Sequence, residues 1–512
     1  MKPGVSAALL LSGMALLVAV PVAARRSAPE APANAAQVIV VSPHNEQIRQ
    51  EFGRAYSEWH QREFGQPATV IWNSPGGTSE IRKTLVASYT AALRAHKAPG
   101  GNADVLFGGG SFEFDQMAQP LVVDGQITTT SILEPLPFSP EFLKETYGEP
   151  TIAGRRLYHA GGAWYGSALS AFGIVYNTEV LARLHVDPPT GWTALADPRL
   201  EGWVALVNPA QSGSVATAME TILLREGWVE GWRIMRRAGG NARSISGSAT
   251  RAPVEVAQGE AAEAFAIDFY GRFQQQAVAD GGSPDRVGYI DPVDKTTVDP
   301  DPIALLTGAP HREEAERFIR FVLSPEGQRL WQYRAGSPGG PQQFELRRLP
   351  VHQAVIAKDM DRFVDKVDPR QIVRTAPPDN KDVRDFVTPL FVAMTMDNRS
   401  LLRQAWACIA RHPAYPKDGS VATADMVKDP QLAAMLRAFD MLPSVAGPDG
   451  KQFDLNDPSV LAEVRAGWLK GGWKGKGLWD PLDAPADVLR QQFAAFFREQ
   501  FQRVIQLAQG RV

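Results

Sequence analysis

Hydrophobic residues in the first part of the chain follow two periodicities in turn, which predicts strands separated by helices. Continuous apolar runs rich in β-branched residues at 37–41, 68–72 and 103–107 are typical of strands buried on both faces. After the first run, apolar residues recur from Ile48 to Phe64 at the spacing of one helix face. Strands that alternate with helices predict a parallel sheet joined by right-handed crossovers, and therefore an α/β fold.

A turn rich in Ser and Gly follows each of these apolar runs. The three turns are 42–46, 73–79 and 108–111. In open α/β sheets, ligands bind at the carboxyl ends of the strands, and a helix that starts there favours an anion. We therefore expect Ser42, Ser79, Ser111 and, from a later turn, Ser214 to converge on one crevice. Ser42 is also predicted to cap the first helix, with Pro43 in its first turn.

A later stretch predicts a short strand at 301–306, a Gly/Pro turn and two helices. The first helix has one apolar stripe, formed by Ala315, Phe318, Ile319 and Val322. Ser324 is the predicted N-cap of the second helix, and Pro325 is its first residue. Nearby acidic residues alternate with Pro and Thr and lack the Gly and terminal Glu of a calcium loop, so we interpret them as turn residues. They are Asp291, Asp294, Asp299 and Asp301.

These segments resemble the family 1 extracellular solute-binding proteins, the ligand-capturing subunits of ABC importers, in the branch that binds ferric iron or phosphonates. The resemblance covers about residues 37–345. Besides the strings above, it is carried by 164–166, 172–177, 192–198, 204–214, 259–268 and 289–292. It implies an α/β, two-lobed type II periplasmic-binding-protein fold with hinge strands. It also implies a binding protein rather than an enzyme, without a cofactor, whose partners are a small ligand, an ABC permease and its ATPase.

The resemblance and the apolar pattern divide the chain into six segments. We expect a signal peptide, a disordered leader, a first part of lobe 1, lobe 2, a return part of lobe 1, and a mostly helical C-terminal extension. Their predicted bounds are 1–24, 25–36, 37–168, 169–295, 296–412 and 413–512. The last helix begins at Pro485 and carries an apolar stripe up to Ile505, which favours docking onto the chain's own core.

The N-terminus is typical of an exported protein. Lys2 precedes an apolar run at 7–20, and small residues follow up to Ala24, where we predict cleavage. The run is shorter than the roughly 20 residues that a membrane-spanning helix needs. No cysteine follows it, so lipid attachment is not expected and the predicted location is the periplasm.

Composition narrows the classes of function. The net charge of −3 argues against nucleic acid as the main partner, because nucleic-acid-binding proteins carry a basic excess. Cys408 is the single cysteine, so an internal disulfide and a cysteine-rich metal site are excluded. We expect a monomer whose stability depends on core burial.

The candidate ligand-binding residues lie in the turns and at the lobe crossings. They are Ser42, His44, Asn45, Gly77, Thr78, Ser79, Gly110, Ser111, Trp164, Tyr165, Asn208, Ser212, Ser214, Asp268, Tyr270 and Tyr289. Hydroxyl groups and helix-start amides suit a phosphate-like group, so we favour a small organic anion such as a phosphonate or a phosphate ester. Asp268 suits an amine or a sugar hydroxyl, although a structural arginine is an alternative partner for it. Trp164 and Tyr165 could equally be packing residues at the hinge.

Other functions stay open. Ferric binders of this family commonly hold iron with tyrosine phenolates, often an adjacent pair, and this chain has no Tyr-Tyr pair. For ferric iron, the donors would be His44, Asp268, Tyr270 and Tyr289. A solute sensor and an enzyme on the same fold are further alternatives. No nucleophile elbow or His-Glu-x-x-His motif favours the enzyme, and Cys408 lies outside the matched lobes.

Overall fold

The computed structural model describes residues 35–378, 382–480 and 484–511. The predicted signal peptide and all but the last two residues of the predicted leader lie outside the described residues. Across the three described ranges, no helix combines the length and the hydrophobicity that a bilayer crossing requires.

Lobe 1 begins with the predicted alternation of strands and helices. Its first elements are β1 (Ala36–Val41), α1 (Glu46–Phe64), β2 (Ala68–Asn73), α2 (Thr78–Arg94), β3 (Val105–Phe107), α3 (Ser111–Met117), β4 (Val122–Val123), β5 (Gln126–Ile127), β6 (Leu133–Glu134), α4 (Pro140–Tyr147), β7 (Thr151–Ile152) and β8 (Arg155–Arg156). β1 pairs in parallel with both β2 and β3. Val38, Val40 and Val105 are fully buried, as expected for strands that helices cover on both faces.

The cap of the first helix differs from the prediction. Asn45, not Ser42, is the N-cap of α1, and its side chain accepts a hydrogen bond from the Ile48 amide at 3.0 Å. The Ser42 hydroxyl instead accepts from the His44 amide at 3.1 Å. Serine side chains can accept from a nearby backbone amide in a turn as well as at a helix N-cap. Here Ser42 forms the turn, and the helix begins only after Asn45.

A long strand carries the chain from lobe 1 into lobe 2. The elements of this part are β9 (Tyr165–Asn177), α5 (Thr178–Leu184), two 3-10 turns (Trp192–Ala196 and Pro198–Leu200), β10 (Val204–Val207), α6 (Gly213–Arg225), α7 (Trp228–Asn241), β11 (Ala242–Ser246), α8 (Arg251–Ala257), β12 (Glu263–Ile267), α9 (Asp268–Asp280) and β13 (Val287–Ile290). The far half of β9 pairs antiparallel with β12 and β13, so the crossing strand is itself part of lobe 2.

A second crossing returns the chain to lobe 1. The returning elements are β14 (Val298–Leu306), α10 (Arg312–Leu323), α11 (Pro325–Arg329), α12 (Gln353–Asp359), a 3-10 turn (Met360–Arg362) and α13 (Pro369–Ile372). The predicted stripe of α10 is buried, and the Ser324 hydroxyl accepts from the Gly327 amide at 3.2 Å as its predicted cap. Asp299 and Asp301 are not turn residues, however, because both are buried within β14.

From Val383 onward the chain is mostly helical, and we call this part the C-terminal extension; it begins before the predicted bound at residue 413. Its elements are α14 (Val383–Phe391), a π-helical segment (Val392–Met396), α15 (Arg399–Ala410), α16 (Pro430–Asp440), β15 (Ser444–Ala446), β16 (Gln452–Asp454), a 3-10 turn (Pro458–Val460), α17 (Leu461–Val464), a second π-helical segment (Arg465–Leu469) and α18 (Pro485–Ala508). The apolar stripe of α18, including Phe493, Phe497 and Phe501, is buried against the chain's own core.

One mixed sheet runs through both lobes. Its strand order among the described residues is β11-β10-β12-β9-β14-β3-β1-β2, with β13 beside β9 and β6 beside β14. The antiparallel strands β9 and β14 pair with each other at the centre and join the two parallel halves. The lobes therefore turn about these two strands, and the carboxyl ends of the parallel strands of each lobe face the gap between them.

The core of lobe 1 ends before residue 412, which is the predicted end of its return part. Ile372 and Val373 belong to the core of lobe 1, together with the stripe of α10. From Val383 onward, the buried residues belong to the core of lobe 2, and Phe386 and Leu390 are among them. The helices after residue 382 thus enlarge lobe 2, because their apolar faces pack against α6 and α7.

Candidate functional site

A cavity of about 430 Å³ lies between the lobes, at the carboxyl ends of β1, β2, β3, β10 and β12. Six of the predicted binding residues line it: His44, Gly77, Thr78, Ser212, Ser214 and Tyr270. Fifteen further lining residues were not predicted, and among them are Glu80, Asp301, Arg348, Gln211, Ser248, Thr250 and Phe269. Both lobes contribute to the lining.

A buried charged group forms the lobe 1 floor of the cavity. His44 Nε2 lies 2.8 Å from Asp301 Oδ2, and the Arg348 guanidinium forms an ion pair with the same carboxylate. The Gly109 amide donates to the other oxygen of Asp301. Arg348 Nη2 also donates to the Ser170 hydroxyl at 2.7 Å. The group is held from β9, β14 and the turns after β1 and β3, so its position depends on the crossing strands.

The charges of this floor balance. Burial lowers the pKa of His44, although the attraction of Asp301 opposes this, so the imidazole is neutral at neutral pH. Burial would raise the pKa of Asp301, but the charge of Arg348 and the hydrogen bonds from His44 and the Gly109 amide outweigh it and hold the pKa below the usual value. The floor therefore consists of one carboxylate, one guanidinium and a neutral imidazole, and it adds no net charge to the cavity.

Two helices begin at the cavity from opposite lobes. Gly77 is the N-cap of α2, and Ser212 is the N-cap of α6, with its hydroxyl accepting from the Val215 amide at 3.4 Å. The amides of Thr78, Gly213 and Ser214 have no acceptor among the residues that the structure describes. First-turn amides have no partner within their own helix, and the helix dipole makes them attractive to an anion.

The two helix starts lie close enough for the lobes to touch. A Cβ atom at Gly77 would lie 2.7 Å from the carbonyl oxygen of Gln211, which is closer than real Cβ atoms approach backbone. Glycine is therefore required at this position for the lobes to meet as they do. The structure thus has the closed arrangement, with the helix starts facing each other across the cavity.

Aromatic residues of lobe 2 cover the charged floor. The Arg348 guanidinium lies 4.4 Å from the centre of the Phe269 ring, and the rings of Phe269 and Tyr270 are 4.0 Å apart. Burial raises the pKa of Tyr270 to about 12, so its phenol is neutral and can donate a hydrogen bond. Within the described ranges, no residue accepts from that hydroxyl, which leaves it available to a solute.

The predicted convergence of four serine hydroxyls does not occur. Ser214 lines the cavity, but Ser42, Ser79 and Ser111 do not. Each of the three forms hydrogen bonds inside its own part of the fold. Their acceptor or donor partners are the His44 amide, the Glu113 carboxylate and the Asp299 carboxylate, respectively. The three turns lie where the sequence predicts them. The directions of the Ser79 and Ser111 side chains, however, depend on carboxylates that lie far away in the sequence.

The two crossing aromatics serve packing. Trp164 Nε1 donates to Asp115 at 2.9 Å, and the Tyr165 hydroxyl donates to the Leu136 carbonyl at 2.7 Å. Both side chains are buried outside the lining of the cavity. The alternative of hinge packing therefore describes them better than a stacking surface for a ligand.

Three other predicted residues also lie outside the lining. Asn208 caps the following turn, since its side chain accepts from the Ala210 amide at 2.9 Å. Asn45 caps α1, and Gly110 precedes α3, where a Cβ atom would lie 3.8 Å from both Asp299 and Thr217. These residues shape the turns that surround the cavity and do not reach into it.

The four residues expected to hold ferric iron do not converge. His44 and Tyr270 line the cavity, but Asp268 and Tyr289 do not. Asp268 is fully buried 3.6 Å from Arg272, as the structural alternative predicted, and burial raises its pKa to about 7. The Tyr289 hydroxyl donates to Asp291 at 2.9 Å. In the part of the chain that the structure describes, no three His, Cys, Asp or Glu residues are grouped to hold a metal ion.

Sequence comparison gives one family and several relatives. The family model for bacterial extracellular solute-binding proteins matches residues 155–366. The phosphoglycerate transport regulatory protein PgtC of Salmonella typhimurium is 28% identical over 163 residues, which is 32% of this chain and 39% of that protein. An uncharacterized protein of Haemophilus influenzae is 27% identical over 255 residues, covering 49% of this chain and 67% of the relative. The chain thus spans about two fifths of the length of PgtC.

Structural comparison gives the same fold. The periplasmic binding protein AfuA from Actinobacillus pleuropneumoniae, solved with fructose-6-phosphate bound, superposes with a TM-score of 0.50 at 17% identity. The match covers 70% of this chain and 99% of AfuA, so the fold of a two-lobed binding protein is present almost whole. The predicted fold class is confirmed.

Proposed function

Residues 155–366 match the family model for bacterial extracellular solute-binding proteins, and from this match we propose that the whole chain captures a small solute between its lobes for import. In this proposal the chain is exported through a cleaved signal peptide and works in the periplasm as a monomer. It delivers the closed, loaded form to an ABC permease with its ATPase. It binds its solute and does not transform it.

One observation carries the proposed ligand chemistry: α2 and α6 start on opposite sides of the cavity and direct unpartnered amides into it. The charged floor is internally balanced, so it neither attracts nor repels a charge strongly. Glu80 also lines the cavity, and its carboxylate accepts from the Gly77 amide at 3.2 Å. The helix-start amides without an acceptor favour an anion that contacts both lobes at once. An anion held from both sides stabilises the closed arrangement.

The surrounding hydroxyl groups favour a phosphate ester or a phosphonate over a simple halide or carboxylate. Thr78, Ser214, Ser248, Thr250 and Tyr270 line the cavity and offer donors on several sides. A phosphoryl group has three oxygens that can each accept such bonds, and charge-assisted bonds are about twice as strong as neutral ones. The name of PgtC mentions phosphoglycerate, and AfuA was solved with fructose-6-phosphate, which supports the same class of ligand.

The test compares phosphorylated solutes with their unphosphorylated counterparts on the purified mature chain. We expect 3-phosphoglycerate or fructose-6-phosphate to bind in isothermal titration and to raise the melting temperature, because a ligand of the folded state stabilises it. Glycerate and fructose should do neither. Equal binding of each pair, or binding of neither member, would reject the proposed ligand class.

Ferric iron stays as the alternative ligand, but it needs a donor set other than the four predicted residues. His44 and Tyr270 could contribute from the cavity wall, whereas the hydrogen bonds of Asp268 and Tyr289 direct them elsewhere. The same titration with ferric citrate distinguishes ferric iron from a phosphate ester as the ligand. A rise in melting temperature with ferric citrate, and none with sodium citrate or the phosphate esters, would favour iron.

A second candidate function is solute sensing. The name of PgtC describes a regulatory protein of transport, and the helices after residue 382 give lobe 2 a surface beyond the shared fold. A sensor would use the same closed form but present it to a receptor. Deleting the gene and measuring both uptake of the bound solute and solute-dependent transcription separates the two functions.

A further inference from the structure

A second cavity of about 140 Å³ lies beside the first and is also formed by both lobes. We call it the annex. Thr250, Phe269 and Tyr270 line both cavities, so the annex is continuous with the wall of the main one. Nothing in the proposed binding of a phosphoryl group uses this space.

The annex is apolar on both sides of the gap between the lobes. Ile48 of α1 and Leu346 of the return segment line it from lobe 1, and both are buried. Val254 of α8 and Phe273 of α9 line it from lobe 2. Phe273 is 37% exposed, an unusual degree for a phenylalanine that already packs in a folded protein. The polar residues of the lining are Asn45, Gln47, Thr250, Gln274 and Glu345.

The two cavities differ in chemistry because Phe269 stands between them. The Arg348 guanidinium, which lines the main cavity alone, lies 4.4 Å from the centre of the Phe269 ring. Tyr270 packs against Phe269 and also reaches both cavities. A molecule that occupies both cavities would therefore meet mostly hydrogen-bonding groups at one end and the apolar side chains of Ile48, Val254, Phe273 and Leu346, with polar neighbours, at the other.

We propose that the solute is an organic phosphate or phosphonate with an apolar substituent, and that the annex holds this substituent while the helix starts hold the anionic group. This inference rests on the proposed function and narrows its ligand class. An alkyl or aryl group in the annex touches Ile48 and Leu346 on one lobe and Val254 and Phe273 on the other. It therefore promotes closure together with the anion, since its contacts exist only when the lobes meet.

The size of the annex fits one ring or a short alkyl chain. Apolar cavities of about 150 Å³ in a protein core bind benzene. Each methylene group moved from water into such a site contributes about fourfold in affinity. A phenyl ring that fills the annex is therefore expected to raise affinity at least about tenfold over a polar substituent of similar length.

The test measures a ratio of affinities in the full mature chain by isothermal titration. The probes are phenyl phosphate, with an apolar substituent, and glycerol phosphate, with a polar one. We expect phenyl phosphate to bind the wild-type chain at least about tenfold more tightly. Val254→Phe fills the annex from α8, and Phe273→Ser removes part of its wall, so both variants should bring the ratio towards one.

A matched control is Phe64→Ser, which removes an exposed phenylalanine from the end of α1, outside the lining of both cavities. It should keep the wild-type ratio. If both probes bind the wild-type chain equally, the annex does not select an apolar group, while the proposed anion site stands. If neither probe nor inorganic phosphate binds, both proposals fail. A wild-type preference for phenyl phosphate that survives both annex variants would also overturn the inference.

Discussion

The guanidinium of Arg384 lies 4.5 Å from the centre of the Phe112 ring, so the C-terminal extension touches lobe 1 across the gap between the lobes. Arg384 is the second residue of α14, and its side chain is buried. It also donates to the Thr217 hydroxyl and to the Gly213 carbonyl, both at 3.1 Å. Gly213 is the first residue of α6 at the cavity. One side chain of the extension thus joins lobe 1 to the helix that we propose binds the anion.

We expect this contact to favour the closed, ligand-bound form. Arg384→Met and Phe112→Leu should each weaken glycerol phosphate binding, because each removes a contact that forms only when the lobes meet. Cation–π pairs contribute about 0.5–2 kcal/mol, so a double-mutant cycle should give a coupling energy of about that size in the binding free energy. Isothermal titration of the four proteins measures it.

The cycle distinguishes closure from simple loss of stability. Arg399→Met is a control on the next helix of the extension, because Arg399 donates only to the Arg243 carbonyl within lobe 2. This variant should bind glycerol phosphate like the wild-type chain. Additive effects of the Arg384 and Phe112 substitutions would show that the two residues act separately, which contradicts the closure role.

The start of α2 gives a second prediction, about the anion site itself. Thr78 is the first helical residue after the N-cap Gly77, whose φ of −72° and ψ of 165° suit a following proline. Thr78→Pro removes an amide that lines the cavity without breaking the helix. The substitution also removes the Thr78 hydroxyl, so losing one or both donors should weaken phosphate ester binding by at least about 1.5–3 kcal/mol, or roughly tenfold to a hundredfold.

A proline at the start of α1 is the matched control for Thr78→Pro. Glu46 is exposed, is the first residue of α1 and does not line the main cavity. Glu46→Pro should therefore leave the affinity for glycerol phosphate unchanged. If Thr78→Pro also binds like the wild-type chain, while circular dichroism shows intact helices, then the start of α2 does not hold the anion.

Much of the fold follows from local sequence signals. The β-branched run of β1 and the stripe of α10 are correct because buried elements leave a periodicity that spans only a few residues. The cap at Ser324 is correct for the same reason, since its partner Gly327 is three residues away. These predictions need no knowledge of the distant parts of the chain.

The floor of the cavity could not be predicted in this way. His44 and Arg348 are separated by 304 residues, and no periodicity connects them. Asp301 misled the prediction because Pro300 and Pro302 flank it, a pattern typical of turns. Strand β14 accommodates these prolines with a register shift between Asp301 and Pro302, and prolines in sheets occur at such irregularities.

The extension is tied to lobe 2 by buried charge, which gives a third prediction. Arg237 is fully buried in α7 and bonds Asp440 of α16 at 3.0 Å, while Arg233 bonds the same carboxylate at 3.1 Å. Asp440→Asn leaves a buried guanidinium without its counter-charge. Breaking a buried ion pair in this way typically costs about 3–5 kcal/mol, so we expect a clear loss of stability in urea unfolding.

A second aspartate of the extension is the control for this loss. Asp449 is exposed in the turn between β15 and β16, and Asp449→Asn should unfold like the wild-type chain. If Asp440→Asn unfolds at the same urea concentration as this control, the pair with Arg237 does not fasten the extension. A loss confined to one of two unfolding transitions would show that the extension unfolds separately from lobe 2.

Glu263 gives a fourth prediction, about pH. It is fully buried at the start of β12, and its two carboxylate oxygens have no hydrogen-bond partner within the described residues. Burial, with a smaller contribution from Asp197, raises the pKa of Glu263 to about 8. The folded chain therefore keeps the proton at neutral pH, while the unfolded chain releases it at its ordinary value near 4.5.

The sign follows from this difference in protons. Below about pH 4.5 both states bind the proton, so the contribution of Glu263 to stability is complete. As the pH rises from there to about 8, the unfolded state binds fewer protons, and the free energy of unfolding falls by up to about 1.4 kcal/mol per pH unit. Glu263→Gln does not titrate, so it should gain stability over the wild-type chain as the pH rises and differ little near pH 4.

Thermal unfolding at pH 4, 6 and 8 measures this gain, with Glu260→Gln as the control. Glu260 lies three residues earlier, is partly exposed and pairs with the exposed Arg243 at 2.8 Å, so its loss should shift the melting temperature only slightly at every pH. A melting difference between Glu263→Gln and the wild-type chain that stays constant from pH 4 to 8 would mean that Glu263 is ionised in the fold. Its buried position at the start of β12 would then need a partner that compensates the charge.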